Sequence, residues 1–244
     1  MTNAATARDI NSQVLLERAS QVQRGGARAA VLGVNDGLVG TLCLVLGVTA
    51  AGAGQQAVLL AGFAGMIAGA VSMAVGEWIS VKAQVELFEG VLSDLKKMVV
   101  GDKELLEAHL AQAFIANGIS SSSSIHVAKE IATNDDNLFK VYAPQVIGIN
   151  PKELGSPWVA AISSLIMYTC GAIAPLSPWF FTGGTKAIWL SVIFTVFGSL
   201  FAGGYVANSS GKSILYGSIR QLFIIVLAAS VTYGVGFIFG TIVG

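Results

Sequence analysis

Two carboxylates stand in stretches of the chain that otherwise carry no charge. Asp36 lies in LGVNDGLVG and Glu77 lies in MAVGEW, and small or apolar residues surround both. A charge in apolar surroundings is costly unless it is paired, protonated or bound to a cation. No Lys, Arg or His lies well inside these stretches, although Arg28 stands at the edge of the first one. The two residues therefore predict a site for a cation, for a proton, or for both in turn.

A thioether is expected on the same helical face as Glu77. Met73 precedes Glu77 by one helical turn, and residues at this spacing are neighbours on a helix surface. A carboxylate together with a thioether suits a divalent transition metal, whereas Ca²⁺ and Mg²⁺ prefer oxygen ligands alone. Asn35 can add a carbonyl oxygen beside Asp36. These donors indicate a transition-metal pathway.

Each of these residues also has an ordinary structural interpretation. Met73 could simply pack against its neighbours, and Asp36 could cap a broken helix because NDG favours a turn. Glu77 could lie at the membrane interface beside Trp78, a residue type enriched there. A polar cluster can also merely hold helices together.

Composition limits the classes of protein that need to be considered. Of the 244 residues, 54% are hydrophobic and only 11% are charged, whereas soluble domains carry about 25% charged residues. The formal net charge is zero, so nothing indicates a nucleic-acid partner. Cys43 and Cys170 lie in apolar stretches without a CxxC spacing, which predicts ordinary buried cysteines. No metalloprotease motif or nucleophile with its base is visible, so we expect no enzyme. A non-transporting membrane scaffold is the alternative to a transporter.

The apolar stretches predict a multi-pass membrane protein. A helix needs about 20 apolar residues to cross a bilayer. Of the fourteen Lys and Arg residues, all but Lys186 lie in the N-terminal arm, the long central region or the loop before the last span. By the positive-inside rule the N-terminus is then cytoplasmic, and the arm lacks the pattern of a cleaved signal peptide. The predicted spans are residues 29–53, 57–81, 157–181, 187–207 and 222–243.

The predicted fold is an all-α integral membrane protein with five transmembrane helices and a small cytoplasmic helical bundle inserted between helices 2 and 3. In the insert, the second span is expected to continue as a helix, Asp102 is a candidate N-cap, and Gly118 is a candidate helix stop. The predicted organisation is an N-terminal arm at 1–28, spans at 29–81, the insert at 82–156 and spans at 157–244.

Five motifs together resemble one known family. They are RAAVLGVNDGLVGTLCLVLGV, GMIAGAVSMAVGEWISVKAQ, GINPKELGSPWVAAISS, GAIAPLSPWFF and GSIRQLFIIVLAASVTYGVGFIFG. They are similar to the vacuolar iron transporter family in its bacterial form, a family that includes the yeast vacuolar Ca²⁺-cross-complementer and plant nodulin-21 types. The resemblance covers nearly all of the chain after residue 25, in the same order.

This resemblance implies a transporter in the bacterial plasma (inner) membrane. It implies a homodimer that moves Fe²⁺, and often Mn²⁺, out of the cytoplasm in exchange for protons, with no cofactor and with membrane lipid as its surroundings. The family's aspartate of the first span falls on Asp36 and its methionine of the second span on Met73. An acidic residue of the plant and yeast branch falls on Gly65, and Glu77 supplies a carboxylate elsewhere on the second span.

The resemblance is weaker in the insert. Family members that store metal there carry several glutamates and a pair of methionines. Glu104 and Glu107 match one glutamate pair, whereas the other pair falls on Leu95 and Met98, and YAPQV replaces a segment with methionines and a glutamate. The resemblance therefore implies a cytoplasmic metal store with fewer ligands than usual, and nodulin-like members lack this domain altogether.

Overall fold

Helices make up all the regular structure among the residues that can be described. The computed structural model describes residues 26–151, 153–209 and 212–243, so most of the predicted N-terminal arm lies outside this range. A π-helical turn, Ala143–Ile147, and a 3-10 turn, Ser177–Phe180, supplement the α-helices. In chain order the α-helices are α1 (Gly26–Ala50), α2 (Gln55–Gly101), α3 (Lys103–Ala116), α4 (Ser121–Ala132), α5 (Asp135–Tyr142), α6 (Pro157–Leu176), α7 (Gly184–Ser209) and α8 (Ile214–Val243).

Five of these helices, α1, α2, α6, α7 and α8, are long and apolar enough to cross a membrane. The prediction of an all-helical, multi-pass membrane protein is therefore confirmed. The predicted fifth span, residues 222–243, lies within α8, but the helix already begins at Ile214, in the stretch expected to be a loop. Arg220 and Gln221 interrupt the apolar run, so a hydropathy pattern places the start of the span after them. Both residue types nevertheless favour helical backbone, so the helix itself continues through them.

Glycines let α1 and α6 approach each other with backbone against backbone. An ideal Cβ on Gly33 would lie 2.7 Å from the carbonyl oxygen of Ser164, and one on Gly37 would lie 2.9 Å from the backbone nitrogen of Ala172. Without an apolar driving force between helices in lipid, such close contact of small residues is a main source of association. The pairing of α1 with α6 thus fixes the helix that carries Asp36.

A hydrogen-bonded core lies where α6 passes into its 3-10 turn. The indole nitrogen of Trp179 donates to the Ser191 hydroxyl at 3.0 Å, and that hydroxyl donates to the carbonyl oxygen of Pro175 at 2.6 Å. Gln55 at the start of α2 donates to the carbonyl oxygen of Trp179 at 2.7 Å. Trp179 is only 1% exposed, so its indole N–H needs this partner.

Residues 80–155 form a compact unit of their own, with an apolar core. Leu95, one of the positions where the family's glutamates would fall, is buried in that core. Gly118 has a φ of +89°, which confirms it as a helix stop. Asp102 is the N-cap residue of α3, but its side chain makes no capping hydrogen bond. The second span does continue as a helix, because α2 runs from Gln55 to Gly101.

Candidate functional site

Glu77 forms an ion pair with Arg28. The Nη2 atom of Arg28, in the first turn of α1, donates to Oε2 of Glu77 on α2 at 3.1 Å. The Glu77 side chain is 9% exposed, whereas that of Arg28 is 64% exposed. Of the two carboxylates, Glu77 is therefore the one that Arg28, at the edge of the first span, reaches. The long Arg28 side chain reaches a carboxylate on a neighbouring helix, a contact that spacing along one helix cannot reveal.

Asp36 lies on an exposed face of the membrane unit. Helix α1 runs without a break from Gly26 to Ala50, so the alternative that Asp36 caps a broken helix is wrong. Leu32 and Gly40, one turn before and after Asp36, are exposed as well. Among the ion pairs of the described residues, none includes Asp36.

Polar residues from α6 and α8 lie close to the part of α1 that carries Asp36. The side-chain amide of Gln221 on α8 donates to Oδ1 of Asn35, the residue directly before Asp36. Tyr168 on α6 lies next to the same part of α1, since its backbone packs against Gly37 and an ideal Cβ on Gly40 would lie 3.9 Å from its hydroxyl. Gln221 is buried, so its bond to Asn35 is sheltered from competing partners. This bond holds Asn35 to α8, which limits how α1 can rotate about its axis.

The remaining residues of the predicted pathway lie on α2. Met73 is half-buried one turn before the buried Glu77. At Gly65, where the plant branch has its acidic residue, an ideal Cβ would lie 2.5 Å from the side chain of Leu44. The hydroxyl of Tyr168 lies against Gly69, where only a glycine leaves room for it. Gly76, by contrast, faces open space.

The predicted glutamates of the insert do not gather a complete ligand set. Glu104 is exposed and Glu107 is half-buried, both on α3. Within the parts of the chain that the structure describes, no group of three His, Cys, Asp or Glu side chains is placed to hold a metal ion. A metal site formed by Asp36, Met73 and Glu77 would therefore need donors beyond the acidic, histidine and cysteine side chains of one copy.

Two residues near Asp36 could not be predicted from the sequence. Tyr168 looks like one aromatic residue among many in an apolar span, and Gln221 stands directly before the predicted fifth span. A signal for Gln221 did exist, since a buried amide next to an apolar run needs a polar partner. Its partner, Asn35, is far away along the chain and could not be identified from spacing.

The fold and these residues define a polytopic helical membrane protein with acidic and polar side chains on its spans. A sequence model of the VIT family matches residues 27–237, and the chain belongs to this family. The resemblance found in the sequence is thereby confirmed.

Relatives with known names agree with this assignment. "Vacuolar iron transporter homolog 2" of Arabidopsis thaliana is 33% identical over 208 residues, which is 85% of this chain and 81% of the relative. "Vacuolar iron transporter homolog 1" of Oryza sativa subsp. japonica is 32% identical over 218 residues, 87% of this chain and 73% of the relative. "Vacuolar iron transporter" of Acanthamoeba castellanii is 27% identical over 225 residues, 89% of this chain and 80% of the relative. These names denote transporters, which confirms the expectation that the chain is not an enzyme.

Proposed function

We propose that this protein exports Fe²⁺, Mn²⁺ or both from the cytoplasm in exchange for protons, as a homodimer in the bacterial plasma membrane. Membership of the VIT family and relatives named as iron transporters support metal transport. The distribution of Lys and Arg supports an N-terminus and an insert on the cytoplasmic side.

The observation that carries the proposal is the exposure of Asp36 on a membrane helix. A charged side chain facing lipid is costly, and such residues in membrane proteins usually face a bundle interior or a water-filled path. A second copy over this face would convert the exposed position into an enclosed one. Helix α2 offers a face for this contact, because a line of small residues at every fourth position is exposed, namely Ala64, Ala68, Ser72 and Gly76.

The side chains proposed as ligands suit both the binding of the metal ion and its release. Asp36, Glu77 and Met73 from both copies would supply carboxylate oxygens and thioether sulfurs, a set that accepts Fe²⁺ and Mn²⁺. A proton that binds a carboxylate removes its charge and with it most of its attraction for the ion. Protons arriving from outside would thus release the metal there. Glu104 and Glu107 would attract ions to the cytoplasmic side with lower affinity.

Transport into liposomes tests this function. Purified protein is reconstituted with a metal-quenched fluorophore inside, and Fe²⁺ or Mn²⁺ influx is measured with and without a pH gradient. Asp36→Asn and Glu77→Gln are expected to reduce the initial rate by at least about tenfold, the equivalent of about 1.4 kcal/mol. Asp94→Asn serves as the matched control, because Asp94 lies on the surface of the insert.

The outcomes separate the alternatives. Full transport by Asp36→Asn would contradict the assignment of the pathway, and absence of transport by the wild type would favour a scaffold. Metal influx at the same rate with and without a pH gradient would refute proton exchange but not metal transport. A monomeric mass of the active protein by light scattering would refute the homodimer.

A further inference from the structure

The ion pair between Arg28 and Glu77 joins two groups with very different surroundings. Glu77 is almost completely enclosed, whereas nearly two thirds of the Arg28 side chain is in contact with the exterior. Arg28 is also the basic partner in the only described ion pair that links two membrane helices. The carboxylate is therefore fixed in place, and the guanidinium can leave it by rotating its own side chain.

The start of α1 is held independently of this pair. The hydroxyl of Ser163 on α6 donates to the carbonyl oxygen of Gly26 at 3.0 Å. An ideal Cβ on Gly26 would lie 3.0 Å from the side chain of Val159, so the two helices are in close contact there. Departure of Arg28 from Glu77 then requires movement of one side chain rather than of the helix.

We propose that Arg28 substitutes for the transported metal ion at Glu77. In the metal-free protein the guanidinium neutralises the buried carboxylate, which would otherwise be left with an uncompensated charge. When a divalent cation arrives, it displaces Arg28, whose long side chain at the start of the first span can extend and carry its charge to the aqueous edge of the membrane. Arg28 thus competes with the cation and sets the affinity of the site. This inference rests on the proposed function, since it requires Glu77 to bind metal.

Competition makes a specific prediction for Arg28→Gln. The dissociation constant for Mn²⁺, measured by calorimetry at pH 8 on purified protein, is expected to fall by about fivefold, the equivalent of about 1 kcal/mol for an ion pair with one partner in water. Arg28→Lys keeps the charge but not the planar fork of donors, so its dissociation constant should lie between those of wild type and Arg28→Gln. Lys97→Gln is the control, because it removes a lysine from an exposed ion pair with Asp94 and should change nothing.

A second arm separates competition from a structural effect. In a Glu77→Gln background, Arg28→Gln should leave the residual Mn²⁺ affinity unchanged, because there is no carboxylate to compete for. The proposal is overturned if Arg28→Gln increases the Mn²⁺ affinity equally in both backgrounds. It is also overturned if Arg28→Gln leaves the Mn²⁺ affinity of the otherwise wild-type protein unchanged or weaker. If Arg28→Gln does not fold, an unchanged or weaker affinity of Arg28→Lys overturns it instead. Absence of Mn²⁺ and Fe²⁺ binding and transport by the wild type refutes the proposed function itself, so the two failures are distinguishable.

Discussion

The contact between α1 and α6 allows a graded test, because three glycines of α1 differ in the room available to a methyl group. An ideal Cβ on Gly33 would lie 2.7 Å from the backbone oxygen of Ser164, whereas ordinary contact begins at 3.4 Å. At Gly37 the obstruction is more severe, and at Gly40 the nearest atom is 3.9 Å away. Substitution by Ala is therefore expected to force the helices apart at the first two positions only.

The structure also indicates the size of the effect. Overpacking of a closely packed contact costs about 1–3 kcal/mol, and a backbone atom cannot move aside as a side chain can. We expect Gly33→Ala to lose about 2 kcal/mol of stability, and Gly37→Ala to lose more. For a chain of this size about 2 kcal/mol lowers the unfolding midpoint by about 4–8 °C. Gly40→Ala should be neutral or gain up to about 1 kcal/mol from its higher helix propensity.

Thermal unfolding in detergent, followed by tryptophan fluorescence, measures this series. The expected order of midpoints is Gly40→Ala highest, then Gly33→Ala, then Gly37→Ala. Because Asp36 directly precedes Gly37, displacement of α1 should also reduce metal transport by Gly37→Ala at temperatures where the variant is still folded. A midpoint of Gly33→Ala equal to that of Gly40→Ala would refute the close backbone contact.

Two further predictions concern other parts of the chain. Ser191→Ala leaves the buried indole N–H of Trp179 without its acceptor, so it should cost about 1–3 kcal/mol of stability and lower the thermal midpoint. The control is Thr169→Val, at an exposed helix hydroxyl, which should change the stability by less than about 0.5 kcal/mol. Equal midpoints of the two variants would contradict the hydrogen bond between Trp179 and Ser191. In the insert, burial raises the pKa of Tyr142 above 10.0, so its contribution to stability is present below pH 10 and is lost as the pH rises through the raised pKa. The fall in midpoint between pH 9 and pH 11 should therefore be smaller in Tyr142→Phe, and an equal fall would show that this burial has no effect on stability.

The sequence was sufficient for the class of fold because hydropathy reports directly on the length of a membrane helix. It was not sufficient for the start of α8. There Arg220 and Gln221 look like a loop, but a polar residue within a helix is stable when it finds a partner, and Gln221 finds Asn35. The α1–α6 contact was only partly predictable, since glycines in apolar spans indicate close approach without indicating the helix that approaches.

The charged residues of the candidate site could also be predicted only in part from the sequence. The residue types identified Asp36 and Glu77, because a lone charge in an apolar segment needs an explanation. They indicated Arg28, at the edge of the first span, as a nearby cation, but not which carboxylate it pairs with, since it precedes Glu77 by 49 positions. Once the two are placed together, the carboxylates differ in a way that composition cannot show. Glu77 is enclosed and neutralised, whereas Asp36 is exposed and belongs to no ion pair of the described residues. If the proposed export between two copies is correct, the cation would meet one carboxylate without an ion-pair partner and one that must first release an arginine, so the two residues would act differently in binding and in release.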